Sequence, residues 1–254
     1  TLDGAQVLGI TAGAGNIDFD AAVGNIAALS AVTIVSAANV VADSTIEAAS
    51  LVQNAGTATT LKDNVTTTAA EGVNITATTI NLDGLTIASS GDGIVRMNGA
   101  TVLQGATIIT TTGTGAITFT GTLDSEAGEY NTLQLTGDTG NIDLDAAIGS
   151  GANQELGAIT IVSAANVTAD SSIEAASITQ TAGTGTTTLK DNVTTTAIAG
   201  LNITADTGIV LDGLNIVTTG SGVVTFNDVV NITTAAVDID AAGTITFAGA
   251  LTST

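Results

Sequence analysis

Along most of this chain apolar and polar residues alternate one for one. In GAITFTG, Ile117 and Phe119 fall on one side of an extended strand and Thr118 and Thr120 on the other. The same frame fits GNIDFDA, with Ile17 and Phe19 on the apolar side and Asp18 and Asp20 opposite; it also fits GNIDLDA, GVVTFND, VDID and GTITFAG. A period of two is that of a strand buried on one face. Gly just upstream of the alternating run supplies a corner at which the chain can change direction. Helical spacing and helix caps are nearly absent, so the pattern predicts an all-β chain without substantial helix.

The strand-like runs recur. They open near Leu8, Val32, Leu51, Val73, Leu85 and Thr107, and again at Leu133, Ile159, Ile178, Leu201, Leu214 and about Ala235. Most gaps are about 19 to 26 residues, in the range of solenoid coils. The gaps from Val73 to Leu85 and from Leu201 to Leu214 are about half as long, and fit either short coils or single sides of a coil. Counted together, the runs predict a parallel β-helix (β-solenoid) of about 12 coils, roughly 55 Å long at one strand spacing of about 4.8 Å per coil.

A longer period lies above this one. GNIDFDAAVG at Gly15 to Gly24 returns as GNIDLDAAIG at Gly140 to Gly149; TIVSAANV at Thr33, TLKDNVTTTA at Thr60 and LDGL at Leu82 return at Thr160, Thr188 and Leu211. The offsets run from 125 to 129, so small insertions separate the matched blocks, as turns allow. The chain therefore divides into two tandem super-repeats of about 127 residues, 1–125 and 126–254.

Composition agrees with this architecture. Pro is absent, as expected where every coil pairs with the coils above and below and no strand can lose an N–H. Aromatics are 2% of residues, so small and β-branched side chains fill a narrow interior, like stacked on like. Repeated Asn at turns should form amide ladders. With no Cys and no His, disulfides, zinc fingers, haem ligation and Cys- or His-based triads are excluded. A net charge of −21 with only three Lys and Arg excludes binding to a phosphate backbone, so no nucleic acid is expected as a partner. No apolar run reaches about 18 residues, so no membrane-spanning helix is expected.

Segments such as GTGAITFTGTLDS at Gly113 to Ser125 and AAGTITFAGALTST at Ala241 to Thr254 resemble the β-strand repeats of very large secreted bacterial surface proteins, of the filamentous-haemagglutinin and adhesin type. The resemblance covers essentially the whole chain. It implies a right-handed parallel β-helix exported to the cell surface, extracellular, and serving as a stalk, adhesin shaft or biofilm matrix fibre. The secretion domain of that family has no counterpart in the sequence.

Candidate chemistry is sparse. Asp18/Asp20, Asp143/Asp145 and Asp238/Asp240 each set two carboxylates on the outer side of one strand, about 7 Å apart. Asp18, Asp20, Asp143 and Asp145 are candidates for weak calcium binding, but calcium takes about six to eight oxygens and the glycine-rich nonapeptide calcium repeat is missing. The competing reading is a solvated acidic coat that keeps an apolar rod soluble. Catalytic residues and cofactors are not expected. With no Trp, one Tyr (Tyr130), one Arg (Arg96) and two Lys (Lys62, Lys190), little is available to hold a substrate. That weighs against the polysaccharide-active enzymes that share the β-helix fold.

Alignment of GIVRMNG with GAITFTG points Arg96 outward. Thr118 and Thr120 follow one coil later, then Asp143 and Asp145. Lys62 and Lys190 repeat in register and should pair with neighbouring acids for little net energy.

Threonine is arrayed as TTT at Thr66, Thr110, Thr186 and Thr194, and as T-x-T at Thr118/Thr120 and Thr244/Thr246. Flat Thr ladders on a solenoid can order ice, which makes an ice-binding solenoid an alternative. The charged coils on either side of Thr118 oppose it, because an ice face should be flat and uncharged. Six N-x-T sequons, at Asn64, Asn74, Asn166, Asn192, Asn202 and Asn231, follow from a Thr- and Asn-rich repeat.

The first and last stretches are strand-like, without the polar or helical caps that usually close a solenoid. The expectation is a non-enzymatic shaft whose partner is itself, by continuation of the same chain or by head-to-tail stacking into an open filament. At such a junction the Thr246 coil should lie beside the Asp18/Asp20 coil.

Overall fold

The computed structural model describes residues 1–253; of the segment Ala241–Thr254, only Thr254 lies outside them. Among these residues there is no helix, and every strand pair is parallel. The chain winds as a β-solenoid with three strand-bearing sides per turn, faces A, B and C. On face A, Leu8 pairs with Val32, and the ladder continues through Leu51, Val73, Val95, Ile117, Ile142 and Val167 to Leu251. Face B runs from Ile17 through Val40, Thr59, Ile80 and Leu123 to Ile239. Face C runs from Leu2 through Val23, Ile46, Ile87, Leu135 and Gln180 to Phe247.

Face A carries twelve rungs, and successive rungs are on average about 22 residues apart, so the chain makes about eleven turns. The short gaps of the sequence pattern are neither short coils nor single sides; each spans two of the three sides of a turn. Val73 to Leu82 is one bent strand that serves faces A and B, and Leu85 already lies inside face C beside Ile87. Sequence similarity alone therefore slides by one side at Leu85 and again at Leu214, which is why about 12 coils are counted where about eleven turns exist.

The two super-repeats do not sit over one another. Ile17 of the first GNID block is on face B, whereas Ile142 of the second is on face A. Leu61 and its counterpart Leu189 are likewise on B and A, and Ile34 and Ile161 on A and C. From Ile17 to Ile142 the chain passes seventeen sides, or five and two-thirds turns. Each copy is thus rotated by one third of a turn against the last. Asp18 and Asp143, equivalent in sequence, face different directions.

Alternation does set inside and outside as predicted. Val95, Met97, Ile117, Ile142 and Ile209 are fully buried, and the outward residues between them are half-buried or exposed, with the exception of Thr118. The interior is wider than the composition suggests. Phe119 lies buried between Met97 and Leu144, and Phe226 stacks on Phe247 with ring centroids 5.4 Å apart. Two fully buried glutamines interrupt the apolar columns, Gln53 between Ile34 and Ile75 and Gln180 between Ile161 and Ile203.

Corners are shaped by glycine where coils come closest. Gly72 and its counterpart Gly200 have φ of +54° and +57°, and a Cβ on either would lie 2.0 Å from a carbonyl oxygen of the next coil, Ile94 or Val223. Left-handed backbone and close approach both demand Gly there. The expected amide ladders are present. Asn39 donates to Asn16 at 2.9 Å and its counterpart Asn166 to Asn141 at 3.0 Å; Asn98 donates to Asn74 and Asn227 to Asn202, both at 2.8 Å.

Candidate functional surfaces

On the outer side of face A the ladder runs Asn74, Arg96, Thr118, Asp143, Thr168, so cation, hydroxyl and carboxylate follow in the order expected. Thr118 is only 6% exposed despite pointing outward. The Asp143 carboxyl is held above the ordinary carboxylate value, first by desolvation and then by the charges of Asp145 and Asp170, with Arg96 opposing. Asp18 is exposed on face B and Asp20 at the corner that follows it. The four acidic candidates are therefore not gathered. Among the described residues no three acidic side chains come together as a metal-holding group.

The corner following each Asp pair carries a column that sequence reasoning found only in part. Backbone bonds from Asp43 to Phe19, from Lys62 to Ala42 and from Asp83 to Leu61 stack Asp20, Asp43, Lys62 and Asp83 at one corner. The second super-repeat builds the same column from Asp145, Asp170, Lys190 and Asp212, one third of a turn away. Lys62 binds Asp43 at 2.8 Å and Lys190 binds Asp170 at 2.7 Å. Each lysine reaches the acid one coil earlier, not the acid that follows it in sequence. Hydrogen bonding to that carboxylate, then its charge, raises both lysines above their ordinary value. Both partners are more than two-fifths exposed, so each bridge contributes little to stability.

The three faces differ in charge. Face B presents Asp18, Asp124, Glu174 and Asp240 outward, and face A presents Arg96 and Asp143. Face C, from Thr66 to Thr246, presents none. Its main outward rank pairs Thr86, Ile108, Gln134, Thr160, Thr179, Asn202, Thr225 and Thr246 coil by coil. Beside it run Thr66, Ala88, Thr110 and Thr136. No local signal marks this face, because its residues come from nine separate segments.

Two open hollows of ≈ 300 and ≈ 320 Å³ lie on the surface, one by Thr33, Val52 and Asn74 on face A and one by Ile108, Gln134 and Thr160 on face C. Neither brings acids, bases and cations together; the first has Glu71 at its rim and the second no charged residue. Tyr130 is half exposed in a loop, with φ of +52°. Of the sequons, Asn74, Asn166 and Asn202 have side chains engaged in the amide ladders. Comparison with known protein families, curated proteins and solved structures finds no match to the chain.

Proposed function

We propose that this solenoid is a segment of a structural, non-enzymatic shaft, part of an extracellular bacterial fibre or adhesin. The observation that carries the reading is the way one super-repeat follows the other. The second copy stacks on the first through the same parallel ladders that join coils within a copy, displaced along the axis by about 27 Å, from five and two-thirds turns of about 4.8 Å, and turned by one third. A unit that adds to itself by a screw operation, without closing, makes an open rod.

Backbone hydrogen bonds run along the axis from coil to coil, so load is shared over many similar interfaces. The surplus of carboxylates on face B and at the corners would keep neighbouring rods apart. A continued copy of the repeat would turn its Asp pair onto face C, beside Thr246. Subunits that stack end to end would have to dock with the same one-third rotation to imitate the internal junction.

Electron microscopy of the native full-length protein tests this. Rods with an axial repeat of about 27 Å, or of about 82 Å once three copies restore the starting face, are expected. Compact globular monomers would overturn the reading.

A further inference from the structure

We infer that face C is a water-ordering surface able to bind ice, a function additional to any role as a shaft and independent of it. On a chain with a net charge of −21, this side carries no charged outward residue between its corners from Thr66 to Thr246. Its main rank has eight rungs, five of them threonine, the others Ile108, Gln134 and Asn202; the hollow by Ile108, Gln134 and Thr160 borders its first half, so the uninterrupted stretch runs from Thr179 to Thr246, three of its four rungs threonine. The T-x-T pair most obvious in sequence, Thr118/Thr120, lies on face A instead, between Arg96 and Asp143.

Charge decides between the two faces. A carboxylate or guanidinium turns nearby water toward itself and breaks a tetrahedral lattice. A methyl group orders first-shell water without binding it, and a neighbouring hydroxyl can occupy a lattice position. Threonine supplies both on a stiff side chain with few rotamers. Parallel stacking repeats the rank every about 4.8 Å along the axis, close to the spacing of oxygen rows in hexagonal ice. The rank is also held by backbone ladders on both sides, so little order has to be created on binding.

Other neutral occupants fit less well. The face carries no aromatic ring on which a sugar could stack; Phe226 and Phe247 point inward from it, and Tyr130 belongs to a loop. A second copy pairing face to face would bury roughly 900 Å² in total, from a strip of about eight strand spacings and two side chains wide, below the size of a stable interface of about 1,200 Å².

The test is thermal hysteresis and inhibition of ice recrystallisation by the purified protein, compared with Thr179→Lys in the middle of face C and Thr188→Lys on the outer side of face A. Far-UV circular dichroism and melting confirm that each variant is folded. The expected result is measurable hysteresis in the parent and in Thr188→Lys, and loss of it in Thr179→Lys. Absence of hysteresis in the folded parent at millimolar concentration, or equal loss in both variants, overturns the inference. Sedimentation equilibrium covers the remaining outcome: concentration-dependent pairing abolished by Thr179→Lys, without hysteresis, would make face C a self-association surface and overturn ice binding.

Discussion

Gln53 and Thr59 offer a quantitative test of the interior. Thr59 Oγ1 donates to Gln53 Oε1 at 2.8 Å, and Thr187 donates to Gln180 at the same distance one super-repeat later. All four side chains are at most 2% exposed, and the Gln53 amide nitrogen has no partner. Each glutamine borders a small internal void, of ≈ 10 Å³ at Gln53 and ≈ 20 Å³ at Gln180, lined otherwise almost wholly by aliphatic side chains. Thr59→Val keeps the shape and removes the donor, leaving both ends of a buried amide unpaired, at a cost of about 1–3 kcal/mol. Gln53→Met strands the Thr59 hydroxyl instead, for a similar cost partly offset by a flexible apolar chain that can fill the void. The double variant contains no buried polar group at this level and should be as stable as the parent or more so. Because the double variant is restored, the coupling equals the sum of the two single costs, about 2–5 kcal/mol, at or above the upper end of the range for residues in direct contact.

Urea denaturation followed by far-UV circular dichroism suits a chain without Trp. The four proteins must share one slope of free energy against denaturant, so that the same transition is compared. Effects that simply add, or a double variant less stable than both singles, would refute the assignment of a coupled buried pair. The same cycle at Gln180 and Thr187 should give the same sign.

Two further outcomes follow from burial and charge. Ile117→Asp places an unpaired carboxylate in a fully buried column and should unfold at least the central coils, whereas Thr118→Ala, which trims an outward side chain, should cost less than about 1 kcal/mol; comparable melting shifts from both would show the facing to be wrong. Asp143→Asn should raise the melting temperature at neutral pH, because a carboxyl whose folded-state value lies above its unfolded value contributes stability that is lost as pH rises through the folded value. That gain should vanish once pH falls below the ordinary carboxylate range, and a gain independent of pH would point to packing instead.

Much of the fold was legible because a two-residue period leaves little choice. Ile117, Phe119, Ile142 and Leu144 had to share a side, and missing Pro marked strands paired on both edges. Like-on-like stacking, the Asn ladders and the lysine ion pairs followed from blocks that repeat in register. Gln53 and Gln180 were missed, since a polar residue in an alternating strand reads as a turn or an outward position. Only the isoleucines stacked above and below them show that they are enclosed.

The sequence by itself determined that each run is a one-sided strand, which apolar residues point inward, and that coils of about 19 to 26 residues stack in parallel. Only the tertiary structure decided the direction in which each block faces. Alternation orients a side chain relative to its own strand, a local matter of the pleat. Azimuth around the axis depends on the number of sides traversed and on the hydrogen-bond register at every corner, summed here over seventeen sides. That sum is not a whole number of turns, so equivalent Asp pairs diverge by one third, and one side is left without charge from Thr66 to Thr246.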